Sequence, residues 1–129
     1  MPKAKQLIVT VPDQPGMLGE IAGALGDKKI NIVGLAAATG GGQGMIWMIV
    51  DKPAAAKKVF AQRGWDVKEE EVLAVTLADS PGSLGRLATK MGRAGVNITS
   101  IYAGSAASAR KLNAYMTVSD MKAAQKAAR

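Results

Sequence analysis

The 129-residue sequence contains no cysteine and no histidine. The first absence excludes a disulfide framework and thiol catalysis. Together they exclude Cys/His zinc sites and imidazole general-base chemistry. Long hydrophobic runs are also missing. The start, MPKAKQLIVTVPDQPG, carries two lysines and an apolar run of only about five residues before Pro12. A signal peptide needs about 7–15 apolar residues and a spanning helix about 20. The chain therefore reads as soluble and cytoplasmic, with no membrane partner. Carboxylates and lysines occur, but no pair recurs at a dyad spacing and no nucleophile sits beside a base. No catalytic residue, metal ligand or cofactor is expected.

Charge of one sign is in excess, at a formal +7. Residues 1–66 hold eight Lys/Arg and five Asp/Glu, and residues 67–129 hold nine and five. No tail or block carries the excess. A nucleic-acid binder gathers its charge on one face or helix. The even split reads instead as a solubility feature.

What the chain does contain is one stretch written twice. Asp13 to Ile32 reads DQPGMLGEIAGALGDKKINI, and Asp79 to Ile98 reads DSPGSLGRLATKMGRAGVNI. The offset is 66 throughout, and nine of the twenty positions are identical. Chance at average composition would give roughly one or two identities. A period this long makes each copy a small domain rather than a solenoid turn. The expected domains are residues 1–70 and 71–129. Units this small bury only ~60% of their surface and are marginal alone, so each leans on the other or on a second chain.

Each copy alternates strand and helix signals. Leu7, Val9 and Val11 point one way with Ile8 and Thr10 opposite, the period of a half-buried strand. Pro12 ends it, and Asp13, Pro15 and Gly16 make a turn. Leu18, Ile21, Ala22 and Leu25 form the apolar stripe of a helix. A second strand follows from Ile30 to Thr39. Gly40, Gly41, Gly42 and Gly44 then read as a hairpin turn; their spacing matches neither phosphate-loop pattern. Met45 to Asp51 is strand three, Ala54 to Arg63 a helix between Pro53 and Gly64, and Trp65 to Lys68 a short fourth strand. The order is βαββαβ. In copy two, Leu73, Val75 and Leu77 begin again, with Leu84, Leu87, Ala88 and Met91 as the helix stripe. Gly95 gives a cleaner helix stop than its counterpart Lys29. The loop 104–109 connects strands two and three, and a helix covers roughly residues 120–129. Nothing there corresponds to Trp65–Lys68. A sheet of this topology runs 4-1-3-2, so the first strand of copy two is left as an edge that a borrowed segment must cover. On strand three, Met45, Trp47 and Ile49 lie away from the helices. Trp47 is expected to be buried against another layer or another chain.

At Asp-x-Pro-Gly-x-Leu-Gly, an amphipathic helix and then [Ile/Val]-Asn-Ile, the chain resembles a tandem pair of ACT domains, in particular small stand-alone ones. The resemblance covers nearly the whole chain in two copies. It implies an α+β fold of tandem ferredoxin-like βαββαβ units, antiparallel sheets with helices on one face, the second unit lacking its last strand. It implies a non-catalytic regulatory protein that binds an amino acid between units and forms a homodimer or higher homo-oligomer. The sites it implies join Asp13, Gln14, Gly16, Met17 and Leu18 with Asn97, and Asp79, Ser80, Gly82, Ser83 and Leu84 with Asn31. The chemistry agrees. A helix N-terminus offers unpaired N–H groups to a carboxylate, Asp13 or Asp79 can receive an ammonium, and asparagine offers donors and acceptors. Set against this, Asp before a helix is most often an N-cap, and Asn at a strand start can serve local backbone alone.

Two other functions compete. One is an interaction scaffold whose ligand sites stay empty. The other is RNA binding, since the RRM shares the βαββαβ order. Trp47 and Tyr115 sit on strand three, but strand one offers Ile8, Thr10, Ala74 and Thr76 with no aromatic, and the Lys/Arg-Gly-aromatic signature is absent. Nucleic acid is not an expected partner.

Overall fold

The computed structural model describes residues 3–105 and 108–129. Ala106 and Ala107 of the second connector lie outside them. The elements follow in the order β1 (Lys3–Pro12), α1 (Met17–Asp27), β2 (Ile32–Gly40), β3 (Gln43–Val50), α2 (Pro53–Gln62), β4 (Asp66–Ala78), α3 (Ser83–Arg93), β5 (Ile98–Gly104), β6 (Lys111–Val118) and α4 (Met121–Ala127). They make two compact units. Lys5–Glu70 is the first, and Glu71–Arg129 together with Lys3 and Ala4 is the second.

In the first unit the strands run β2-β3-β1-β4, with β4 contributing its first residues. β1 pairs antiparallel with β3 from Gln6↔Ile49 to Pro12↔Gln43. β2 also pairs antiparallel with β3, ending at Gly40↔Gln43. Gly41 and Gly42 close that hairpin at φ 60° and 78°. Two successive positive φ values are what a two-residue type I′ turn requires. The glycine run is therefore a connector. Alternation sends Leu7, Val9 and Val11 of β1 and Ile46, Met48 and Val50 of β3 into the core, under Ile21, Ala24 and Leu25 of α1 and Ala56, Val59 and Phe60 of α2. Trp65 closes one end, its ring 6.0 Å from that of Phe60. On the opposite face Ile49 is buried, Trp47 is half-buried and Met45 is exposed.

The helix stripe differs from the sequence expectation by one position. Met17 is buried and Leu18 is 46% exposed, with Ala22 only half-buried. The second unit repeats the difference: Ser83 is buried, Leu84 is 37% exposed and Ala88 is half-buried. Neighbouring residues on a helix lie about 100° apart. A stripe read through Leu18, Ile21 and Leu25 is therefore hard to tell from one through Met17, Ile21, Ala24 and Leu25.

In the second unit the order is β4-β6-β5. β4 pairs antiparallel with β6 from Leu73↔Met116 to Ala78↔Lys111, and β5 pairs antiparallel with β6. Leu73, Val75, Leu87, Met91, Val96, Ala114, Met116 and Ala124 form its core. The expected fourth strand of copy one and first strand of copy two are one strand, β4, of 13 residues. No glycine or proline interrupts Asp66–Ala78, so nothing breaks the extension. Trp65 stands just before it rather than inside it. The edge left by the missing last strand was expected to borrow a segment. The residues that join this unit from elsewhere are Lys3 and Ala4 of β1, with Lys3 Nζ 3.5 Å from the Glu71 carboxylate. The C-terminal helix is shorter than expected, and Asp120 caps it by accepting a hydrogen bond from the Ala123 amide at 3.0 Å.

Candidate ligand-binding site

The turn from β1 into α1 is built by three residues with separate jobs. Pro12 ends the strand. The Asp13 amide donates to the Gly42 carbonyl at 3.2 Å, tying the turn to the β2–β3 hairpin. Gly16 then takes φ 89°, a left-handed angle that an L side chain resists, and becomes the N-cap of α1. A glycine N-cap has no side chain to cap with, and no other side chain among the described residues caps this helix. Its first-turn amides keep their donor capacity. The Asp13 carboxylate, three residues ahead, makes no hydrogen bond or ion pair among the described residues. It is exposed and does not act as the N-cap.

A cavity of about 360 Å³ opens beside this turn. Val11 and Pro12 of β1, Asp13 and Gln14 of the turn, and Met17 and Leu18 of α1 form one side. Ala37, Ala38 and Thr39 of β2 and Gly44, Met45 and Ile46 of β3 form the other. Gln14 Nε2 lies 3.4 Å from Met17 Sδ, which turns the amide toward α1. The volume is at the small end of metabolite sites, and the mixture of apolar walls with a few polar groups is usual for them. Four of the predicted residues, Asp13, Gln14, Met17 and Leu18, therefore share one cavity, with Gly16 in the turn beside it. The lining from β2 and β3 of the same unit was not anticipated. Its one signal was the run Ala36-Ala37-Ala38, small residues in a strand where β-branched ones usually prevail.

Asn31 is not in that cavity. It stands just before β2, about seven residues and roughly 23 Å along the strand from Ala38. Its backbone is engaged: the amide donates to Asp51 Oδ1 at 2.9 Å and the carbonyl accepts from the Asp51 amide at 3.1 Å. Asn97 repeats the arrangement, its amide donating to Ser119 Oγ at 2.9 Å and its carbonyl accepting from the Ser119 amide. Both side-chain amides are left without a protein partner among the described residues.

The matching turn of the second unit has the same backbone and a different chemistry. Gly82 is again a left-handed N-cap at φ 88°. Here the polar groups satisfy one another. Ser105 Oγ donates to Asp79 Oδ2 at 2.8 Å, and Ser80 and Ser83 share a hydrogen bond of 2.9 Å. Arg86 Nη2 donates to Ser83 Oγ at 3.3 Å, and its guanidinium lies over Gly82, where an added Cβ would come within 2.9 Å of Nη1. Position 86 corresponds to Glu20 of copy one. Leu84 is exposed at the start of α3.

The fold is shared with solved structures. A protein from Bacteroides thetaiotaomicron superposes with a TM-score of 0.90 at 24% identity, covering 97% of this chain and 85% of that one. The ligand-free regulatory subunit of aspartate kinase from Thermus thermophilus superposes with a TM-score of 0.69 at 17% identity, covering 98% and 91%. Aspartate kinase from Synechocystis gives 0.66 at 18% identity, covering 98% of this chain and 24% of that one. No curated protein matches the sequence. The ACT domain model matches residues 5–61, the span that holds the Asp13–Gly16 turn, α1 and the cavity. The match to the ACT domain family is therefore to residues 5–61, within a chain built as tandem ferredoxin-like units.

Proposed function

We propose that the protein is a non-catalytic regulatory module that binds an amino acid at the β1–α1 turn of its first unit. The observation that carries this is the conjunction of an uncapped helix N-terminus, an unpaired Asp13 carboxylate and an apolar cavity at one turn. An α-carboxylate on the α1 amides gains from the helix dipole by about 0.3–1 kcal/mol, up to roughly 2 when partly buried. Asp13 receives the ammonium. Met17, Met45 and Ile46 line the remaining space, which favours a ligand with an apolar side chain. The regulatory subunit of aspartate kinase shares the fold, which supports regulation over catalysis. In this reading another ACT unit closes over the open side of the cavity, so that ligand binding favours one assembled state. Asn31 and Asn97, their side chains free of protein partners, suit the neighbouring wall that the family pattern implies.

The test is calorimetry against the twenty amino acids. Binding of apolar ones at micromolar to millimolar affinity, about −8 to −4 kcal/mol, supports the reading. No heat from any of them removes it. The Asp13→Asn variant is expected to weaken binding about ten-fold or more, the loss of a hydrogen bond to a charged group. The self-satisfied turn around Ser80, Ser83 and Asp79 favours the scaffold reading for the second unit. One site per chain is the expected stoichiometry.

A further inference from the structure

The formal charge of +7 is not spread along the chain. Residues 1–82 hold nine Lys/Arg and nine Asp/Glu; residues 83–129 hold eight Lys/Arg and one acid, Asp120. Division at the midpoint hides this, because four acids of the second half, Glu69, Glu70, Glu71 and Asp79, precede α3. The structure places the excess. Arg86, Lys90 and Arg93 stand at i, i+4 and i+7 on α3, about 6 and 4.5 Å apart along the axis and on one face. α4 packs beside α3 and adds Lys126. All four side chains are exposed. None pairs with an Asp or Glu among the described residues, and the ion pairs present there all lie within residues 3–71.

These cations wall two adjoining grooves. Arg86, Lys90 and Arg93 line one of about 520 Å³, floored by Gly85 and Thr89. Lys90, Arg93 and Lys126 line one of about 580 Å³, floored by Ala123 and Ala127. The floor carries only small side chains, so a chain of anions can lie close to both helices. Neither groove is lined by an aromatic or a large aliphatic residue. The described lining of these grooves therefore offers no ring to stack on a base and no large apolar side chain to enter a bilayer.

We propose that this α3–α4 face binds the phosphodiester backbone of nucleic acid without reading sequence. A like-charged cluster repels itself, and a polyanion relieves that repulsion. Four cations over a small-residue floor suit a chain that is charged at every unit better than an acidic peptide whose charges are interrupted. The sheet-face route of an RRM plays no part.

The test is fluorescence anisotropy on the full chain, with labelled 20-mers of single-stranded RNA, single-stranded DNA and duplex DNA. Four phosphate contacts give a log–log salt slope of about −3.6 on duplex and about −2.8 on single strands. Duplex affinity then falls about 150-fold between 50 and 200 mM salt. The triple variant Arg86→Gln, Lys90→Gln, Arg93→Gln should reduce the slope to about −1. A control triple, Lys28→Gln, Lys58→Gln, Lys68→Gln, removes the same charge from the first unit and should keep the parent slope. Circular dichroism checks that both triples are folded. Three results would overturn the proposal: no binding at 50 mM salt, equal loss in both triples, or equal binding to polyglutamate or to anionic vesicles. Comparison among the three 20-mers identifies whether duplex or single strand fits the face.

Discussion

Gly16 and Gly82 do the same conformational work in different surroundings. An added Cβ at Gly16 meets nothing within 4 Å, so Gly16→Ala costs only the left-handed backbone, about 1–2 kcal/mol. At Gly82 the Cβ meets Arg86 Nη1 at 2.9 Å, so Gly82→Ala also displaces that side chain. Urea denaturation should show Gly82→Ala costing at least as much as Gly16→Ala, and the two becoming equal in an Arg86→Ala background. Leu18 separates binding from stability. With nearly half its surface exposed at the cavity, Leu18→Ala should change stability by less than about 0.5 kcal/mol while weakening the ligand. Ile21→Ala, fully buried one turn later, should cost about 2–5 kcal/mol. The turn of the candidate site was legible at this scale, because a turn signal such as Asp-x-Pro-Gly acts locally. The inward residue of α1 was not. Periodicity fixes a helix face only to within a step of about 100°, and the angle at which Gly16 starts the helix decides between Met17 and Leu18. The β2 and β3 lining was illegible for another reason: it depends on which strand the hairpin brings beside the turn.

Elements ended where local chemistry ended them. Pro12, the Gly41-Gly42 turn and Pro53 each fell at a boundary, whereas the junction of the copies, without glycine or proline, became the interior of β4. A repeat marks homologous positions, but hydrogen bonding decides where a strand stops. The repeat also locates a weak helix end. Lys29 and Gly95 are equivalent positions, and both adopt positive φ, 60° and 74°. Glycine does this freely; lysine carries a penalty of about 1–2 kcal/mol, against which glycine loses about 0.5–1 kcal/mol more conformational freedom on folding. Lys29→Gly should therefore stabilise the protein by roughly 0.5–1 kcal/mol. The hydrogen bond that Lys52 Nζ donates to the residue 29 carbonyl, 2.9 Å, is a backbone contact and survives the change. The opposite sign in a thermal melt would mean that the lysine side chain itself supports the turn. At the last helix, Asp120→Ala should cost about 1 kcal/mol, since it removes the hydrogen bond to the Ala123 amide.

Over the whole molecule the optical reporters divide as the charge does. Trp47 and Trp65 both lie in the first unit, and Tyr102 and Tyr115, with ring centres 5.5 Å apart, both lie in the second. Each unit therefore has its own spectroscopic signal. Trp65 packs on Phe60 inside the first core, and Arg63 sits 5.6 Å over its ring, so tryptophan emission should shift when that unit opens. Tyrosine near-ultraviolet dichroism should follow the second. A ligand that binds only the folded state stabilises it by RT ln(1 + [L]/Kd), about 2.7 kcal/mol at one hundred times Kd. Bound at the Asp13–Gly16 turn, it must raise the tryptophan-reported unfolding free energy by that amount, and a ten-fold loss of affinity in Asp13→Asn must cut the gain to about 1.4 kcal/mol at the same ligand concentration. A shift confined to the tyrosine signal would instead put the ligand at the Ser80–Ser83 turn. It would also show that the hydrogen bonds now closing that turn yield to an amino acid, which reverses the assignment between the copies.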